Sequence, residues 1–205
     1  KEALRVWTLE SNPLEYAFAC DHAGSAYARL AMLKDPGPNR QKAIEFYQKA
    51  LQVYNLEQFS VDYARIQHQI GDLHRLLLEN DPQNEAARRI QALNAYQEAL
   101  KVYNPDTFPI QYGLIQGYLG TVQATLSEEG LRNSIIAFKN ALKVHEKCLA
   151  EAIEPHDSQF MSRYVPTLQN LGAAYLKLAG IEDPLENYQL AIQTFQEVLR
   201  FSGGV

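Results

Sequence analysis

Tyr63-Ala64-Arg65-Ile66-Gln67-His68-Gln69-Ile70-Gly71 places a tyrosine eight residues before a glycine, and the same spacing recurs along the chain. Tyr16 with Gly24, Tyr112 with Gly120 and Tyr164 with Gly172 complete four copies, the tyrosines being 47, 49 and 52 residues apart. A period in this range is the mark of a repeat architecture, in which each unit buries its apolar face only against its neighbours.

Between these copies lie segments with small and aromatic residues at helical intervals. They are Ala43, Tyr47, Ala50 and Leu51; Ala92, Tyr96, Ala99 and Leu100; Phe138, Ala141 and Leu142; and Ala191, Phe195, Val198 and Leu199. Each forms an apolar stripe at i, i+3, i+4 and i+7 or i+8, as an amphipathic helix requires. Glu2-Ala3-Leu4-Arg5-Val6-Trp7 through Tyr16 aligns without a gap on Glu98-Ala99-Leu100-Lys101-Val102-Tyr103 through Tyr112, an offset of two repeats. Neither end has the polar character of a capping repeat, so the expectation is a piece of a longer protein.

Helices are therefore predicted near 13–33, 39–55, 60–79, 84–103, 109–127, 130–152, 158–179 and 184–201, with a helical stub at 1–8. Breaks are marked by Asp35-Pro36-Gly37-Pro38, Asn80-Asp81-Pro82, Asn104-Pro105, Glu154-Pro155 and Asp183-Pro184. Pro13 and Pro109 suit first helical positions, where a missing N–H costs nothing. Pro166 lies inside a predicted helix and implies either a kink or a later helix start. The segment 145–158 is expected to hold an extended helix and a loop, the place to look for a partner-specific feature.

The glycine in each first helix, followed by alanine, aromatic and alanine in each second, resembles the tetratricopeptide repeat over essentially the whole chain. The resemblance implies an all-α fold, a right-handed α-solenoid of antiparallel helix pairs, as a single array over 1–205 with pairs at about 13–55, 60–103, 109–152 and 158–201. In it, glycine and alanine remove bulk where the helices of a pair cross, and the aromatic fills the space between one pair and the next. The repeats are longer than the family's usual length. They look like the long-connector variant of large bacterial multidomain proteins, where similar arrays accompany proteases or nucleotide-driven signalling modules.

Stacked pairs of this kind form a concave wall lined by the first helix of each pair. Counting from the glycines, the residues expected to face it are Asp21, Ser25 and Arg29; Arg65, His68, Asp72 and Arg75; Tyr118 and Thr121; and Gln169 and Lys177. The groove is expected to be polar, with both charge signs, and to suit an extended or helical segment of mixed charge. Chaperone-binding members of the family grip a terminal carboxylate with lysine and asparagine. Asp21 and Ser25 stand at the matching places, and an acid there argues against that mode. The plainer account of Arg65, His68, Asp72 and Arg75 is a solvated helix face with internal ion pairs, each worth a few tenths of a kcal/mol, about 0.2–0.5.

Composition excludes other classes. Twenty-four acids against nineteen bases give a formal charge of −5, and no basic run is long enough to follow a phosphate backbone, so nucleic acid is not an expected partner. Tyr47, Tyr54, Tyr96, Tyr103 and Phe138 have the helical spacing of core residues and not of a base-stacking platform. Two cysteines, Cys20 and Cys148, are too few for a disulfide framework and suggest a reducing compartment, the cytoplasm. No segment approaches the length of about 18 apolar residues that a membrane span needs. His145 and Cys148 are i, i+3 but lack further ligands for zinc, and Cys20 and His22 point to different helix faces. Glu128 and Glu129 read as acids favoured at a helix N-terminus.

No cofactor or metal is expected, and no phosphate loop, nucleophile elbow or metal cluster points to an enzyme. The expected function is a scaffold that binds a protein or peptide. The alternative is a regulatory or sensor arm of a larger signalling enzyme, with a catalytic domain attached. Replacing Gly71 or Gly120 with leucine should lower thermal stability by several degrees, whereas Arg75→Ala should leave melting nearly unchanged.

Overall fold

A computed structural model describes residues 7–78, 82–125, 127–151 and 158–202. Every regular element among them is helical: α1 Pro13–Leu30, α2 Pro36–Ala50, α3 Ser60–Leu77, a single 3-10 turn at Pro82–Asn84, α4 Glu85–Leu100, α5 Pro109–Gln123, α6 Glu128–Glu151, α7 Ser158–Ala179 and α8 Pro184–Ser202. The helical stub expected at 1–8 falls mainly on residues 1–6, outside the described residues. The chain divides into two compact units, Lys1–Val102 and Tyr103–Val205. Each contains two packed helix pairs, α1 with α2 and α3 with α4 in the first, α5 with α6 and α7 with α8 in the second.

The glycines create the pairs. A Cβ on Gly24 would lie 2.8 Å from the Tyr47 ring, on Gly71 2.6 Å from Tyr96, on Gly120 2.5 Å from Phe138 and on Gly172 2.8 Å from Phe195. No side chain fits there, so each glycine is a notch that receives the aromatic of its own partner helix. The aromatic does more than fill the gap between successive pairs: it closes its own pair, bringing the two helices within ring-to-backbone contact, and Tyr47 and Phe138 also belong to the clusters shared with the next pair.

The repeating tyrosine has its own task. Tyr63 at the start of α3 donates to Glu98 Oε2 near the end of α4 at 2.7 Å. Tyr164 near the start of α7 donates to Glu197 Oε1 near the end of α8 at 2.8 Å. Both glutamates stand two residues after the notch aromatic, so tyrosine and glycine fix the register of an antiparallel pair at two heights. Burial and these carboxylates raise the pKa of both phenols.

Two kinds of turn recur. Inside pairs, Asp35-Pro36 and Asp183-Pro184 put the aspartate in the left-handed region at φ 45° and 41°. Four residues later, buried Asn39 and Asn187 donate from Nδ2 to the Lys34 and Glu182 carbonyls at 2.7 and 2.8 Å. The helices begin at the prolines, so Asp35-Pro36-Gly37-Pro38 is partly the first turn of α2 and not wholly a linker. Between the pairs, Asn55 Oδ1 accepts from the Glu57 and Gln58 N–H groups, and Asn104 Oδ1 accepts from those of Asp106 and Thr107. Tyr54 then meets Phe59, and Tyr103 meets Phe108, edge to face. Before α1, Thr8 Oγ1 plays the asparagine's part toward the Ser11 N–H.

Successive pairs are joined by apolar clusters. In the first unit Ala43, Ile44, Tyr47 and Ala50 of α2 are buried with Ile66, Ile70, Leu73 and Leu77 of α3. In the second, Leu131, Ile135, Phe138 and Leu142 of α6 are buried with Leu168, Leu171, Ala174 and Leu178 of α7. Helix α7 runs through Pro166 from Ser158, so of the two outcomes expected of that proline, a kink or a later start, the later start does not occur. The neighbouring Thr167 hydroxyl donates to the Arg163 carbonyl at 2.8 Å. No helix among the described residues is long and apolar enough to cross a membrane.

Candidate ligand-binding grooves

In each unit the first helices of consecutive pairs flank a groove. That of the first unit encloses about 420 Å³ and is lined by Ser25, Ala28, Arg29, Ala31 and Met32 of the α1 side, Arg40 and Tyr47 of α2, and Arg65, Gln69, Asp72, Leu73 and Leu76 of α3. That of the second encloses about 170 Å³, between Thr121, Ala124 and Thr125 of the α5 side, Phe138 of α6, and Asn170, Ala173, Ala174 and Lys177 of α7. The two are built in one register. Positions one, four and five after the leading glycine supply one bank, positions two before and one, two and five after the following glycine supply the other, and the notch aromatic forms the floor.

Asp21 and Arg65 lock the first groove at one end. Arg65 donates from Nη1 to Asp21 Oδ1 at 3.0 Å and from Nη2 to Oδ2 at 2.7 Å, with Asp62 Oδ1 at 3.3 Å. This bidentate fork joins α1 to α3 and, through its hydrogen bonds to Asp21, raises the already high pKa of the guanidinium. At the other end Arg40 Nη1 donates to the Leu76 carbonyl at 2.9 Å. Asp72 is occupied as well: Tyr96 donates to its Oδ1 at 2.8 Å, His68 Nε2 lies 3.5 Å from Oδ2, and Arg75 Nη2 lies 3.7 Å from Oδ1. Burial lowers the pKa of His68, so the ring stays neutral against the Asp72 carboxylate over a wider pH range. The Tyr47 hydroxyl is within hydrogen-bond distance of Ser25 Oγ at 3.1 Å, and burial raises its pKa.

Arg29 differs from the other groove cations. It is exposed, and its guanidinium reaches no acceptor among the described residues. Beside it Ala28, Ala31, Met32, Leu73 and Leu76 make an apolar floor, Met32 being 84 % exposed. The groove is accordingly more apolar than the polar wall expected from sequence, because the polar residues at its ends are spent on one another.

Of the residues expected on the wall, Ser25, Arg29, Arg65 and Asp72 line the first groove and Thr121 and Lys177 the second, and Asp21 holds Arg65. His68 and Arg75 sit behind Asp72, half-buried, and not on the lining. Tyr118 and Gln169 line neither groove. The second groove lacks the ion-pair lock: where Asp21 and Arg65 stand in the first unit, Gly117 and Pro166 stand in the second, and a Cβ on Gly117 would be 3.7 Å from Thr167 Oγ1. The Thr121 and Thr125 hydroxyls donate back to the Tyr118 and Val122 carbonyls. Arg40, Met32, Gln69, Leu76, Thr125 and Asn170 were not anticipated. Leu76 and Thr125 occupy the position five after the glycine, so a consistent count would have found them. Arg40 could not be found that way, since it comes from a second helix.

A further aromatic recess of about 370 Å³ lies in the first unit among Trp7, Leu14, Phe18, Tyr54 and Phe59, with Glu15 and Asp62 on its rim. The described residues contain no group of three or more His, Cys, Asp or Glu that could hold a metal ion. Comparison of the chain with models of known families gives no match, and comparison with curated proteins gives none.

Proposed function

We infer that the chain is a cytoplasmic protein-interaction module, a right-handed solenoid of tetratricopeptide-like pairs that binds a segment of another polypeptide along its grooves and catalyses no reaction. The observation that carries this reading is the recurrence of one groove, in one register, in both units. A repeated site matches a repeated ligand, and a polypeptide backbone with side chains at regular intervals is the common ligand of that kind. The first groove suits an aliphatic side chain on the Ala28–Leu73–Leu76 floor with a carboxylate one or two residues away, at Arg29. The second, smaller and lined by alanine and threonine, suits a small side chain beside an acid at Lys177.

The test is selection of a random peptide display library on the folded chain, followed by titration of the enriched peptides. The expected peptides pair Asp or Glu with an aliphatic residue. Arg29→Glu and Lys177→Glu, both at exposed positions, should weaken them about tenfold or more while leaving the helical circular dichroism unchanged. Enriched peptides that bind Arg29→Glu and Lys177→Glu as well as the parent, or no enrichment at all, would refute the reading.

A further inference from the structure

The groove of the first unit is a compartment tied at both ends. The Asp21–Arg65 fork joins α1 to α3 at one end, and Arg40 joins the start of α2 to the Leu76 carbonyl at the other. Between these ties lie about 420 Å³, inside the range of roughly 300–1,000 Å³ typical of sites that enclose a small molecule. The second groove, at about 170 Å³, falls below that range. All of the first compartment's lining comes from α1, α2, α3 and the end of α1, within one unit.

Its charge favours an anion. Three arginines and one aspartate line it, in a chain whose formal charge is −5. Arg65 is held by Asp21, Arg40 by the Leu76 carbonyl, and Asp72 by the Tyr96 hydroxyl. Arg29 is the one charged lining residue left with a guanidinium to offer, and a carboxylate is the group that matches its paired N–H donors.

The rest of the lining favours hydrocarbon. Ala28, Ala31, Leu73 and Leu76 form the floor, and Met32, 84 % exposed, supplies a flexible thioether at the mouth. A polypeptide backbone drawn in here brings N–H and C=O groups, and only the Gln69 amide and the Ser25–Tyr47 hydroxyl pair stand ready to meet them. An alkyl tail brings none. One anionic head and an unbranched apolar tail therefore satisfy the compartment more fully than a stretch of peptide does.

We propose that the first unit's groove is a receptor compartment for a free aliphatic monocarboxylate, with the carboxylate on Arg29 and the tail along Ala28, Met32, Leu73 and Leu76. The site is separate from the second groove and does not require that a peptide bind the chain.

Calorimetric titration of the whole chain with sodium butyrate, hexanoate, octanoate and decanoate tests it. The expected result is saturable binding of a single acid per chain, with Kd falling about fourfold for each added methylene until the compartment is full. Neutral 1-octanol, which keeps the tail and loses the charge, should bind about tenfold or more weakly than octanoate. Arg29→Gln should weaken octanoate by a similar factor with unchanged circular dichroism. The sequence holds two methionines, Met32 on the lining and Met161 in α7, so isotope-labelled methionine methyl groups locate the ligand by NMR. Octanoate should shift the Met32 signal and leave that of Met161 in place. Failure of peptide selection would leave these results standing. Absence of saturable binding up to about 10 mM, an affinity indifferent to chain length, or octanoate bound as tightly by Arg29→Gln as by the parent would each overturn the proposal. A shift of Met161 in place of Met32 would do the same.

Discussion

Replacing Gly71 with alanine sets two effects of known size against each other. Alanine in a helix interior is favoured over glycine by about 1 kcal/mol, because it removes backbone freedom from the unfolded chain. In this helix the added Cβ would lie 2.6, 2.7 and 3.1 Å from three atoms of the Tyr96 ring. The ring has no retreat, being fully buried with its hydroxyl held on Asp72 at 2.8 Å. Overpacking that moves backbone costs ~1–3 kcal/mol, and here it falls in the upper part of that range. The net expectation is a loss of ~1–2 kcal/mol and a fall in the first unit's melting midpoint of roughly 5–15 °C. Gly117→Ala is the matched opposite. Its Cβ meets only Thr167 Oγ1 at 3.7 Å, ordinary contact, so the helical preference is realised and the second unit gains up to about 1 kcal/mol. Gly172→Ala should fall between them, since Phe195 is only partly buried and has room to yield. Thermal melts followed by circular dichroism read all three. If Gly71→Ala melted at or above the parent, or if Gly71→Ala and Gly117→Ala shifted melting alike, the notch would not be what holds the pair.

Burial holds the pKa of His74 and of His145 down to about 4, with Arg88 and Arg163 adding to the effect. The unfolded chain therefore binds protons that the folded chain refuses between pH 6.5 and about 4. Stability is complete above that window and falls as pH drops through it, by ~2–3 kcal/mol for each histidine. Melting midpoints of His74→Gln and His145→Gln at pH 7.5 and 4.5 should show a flatter dependence than the parent, and an unchanged slope would contradict the assignment. Arg65→Ala leaves the Asp21 carboxylate, 7 % exposed, without its bidentate partner, and should cost ~1–3 kcal/mol in urea titration. Arg65→Lys should restore only part of that, because a point charge cannot bridge both oxygens. Asn39→Ala and Asn187→Ala remove the buried bond that closes each Asp-Pro turn and should each lower stability by ~1–2 kcal/mol. Equal melting of parent and variant would mean that these turns are closed by their backbone alone.

Much of the helix layout could be read directly from the chain. Tyr63 through Gly71 and its three counterparts placed the first helices, the Ala43–Tyr47–Ala50 pattern and its counterparts placed the second, and starts at 13, 60, 109, 158 and 184 agree with the observed ones. The site was less legible. Ser25, Arg29, Arg65, Asp72, Thr121 and Lys177 line the grooves as counted, because a helix repeats its face every three to four residues and distance from the glycine predicts direction. His68, Arg75, Tyr118 and Gln169 lie off those linings, because that count says which way a side chain leaves its helix and not what it meets.

Periodicity alone determined that this chain is helical, that its helices come in pairs and that glycine marks the crossing, since these follow from local spacing and from the absence of a side chain. Only the tertiary structure decided that the aromatic closes its own pair, that Asp21 and Asp72 are already engaged while Arg29 is not, and that Arg40 enters the groove from a second helix. Those facts depend on the distance between residues 15 to 50 positions apart, and packing, not sequence spacing, sets that distance.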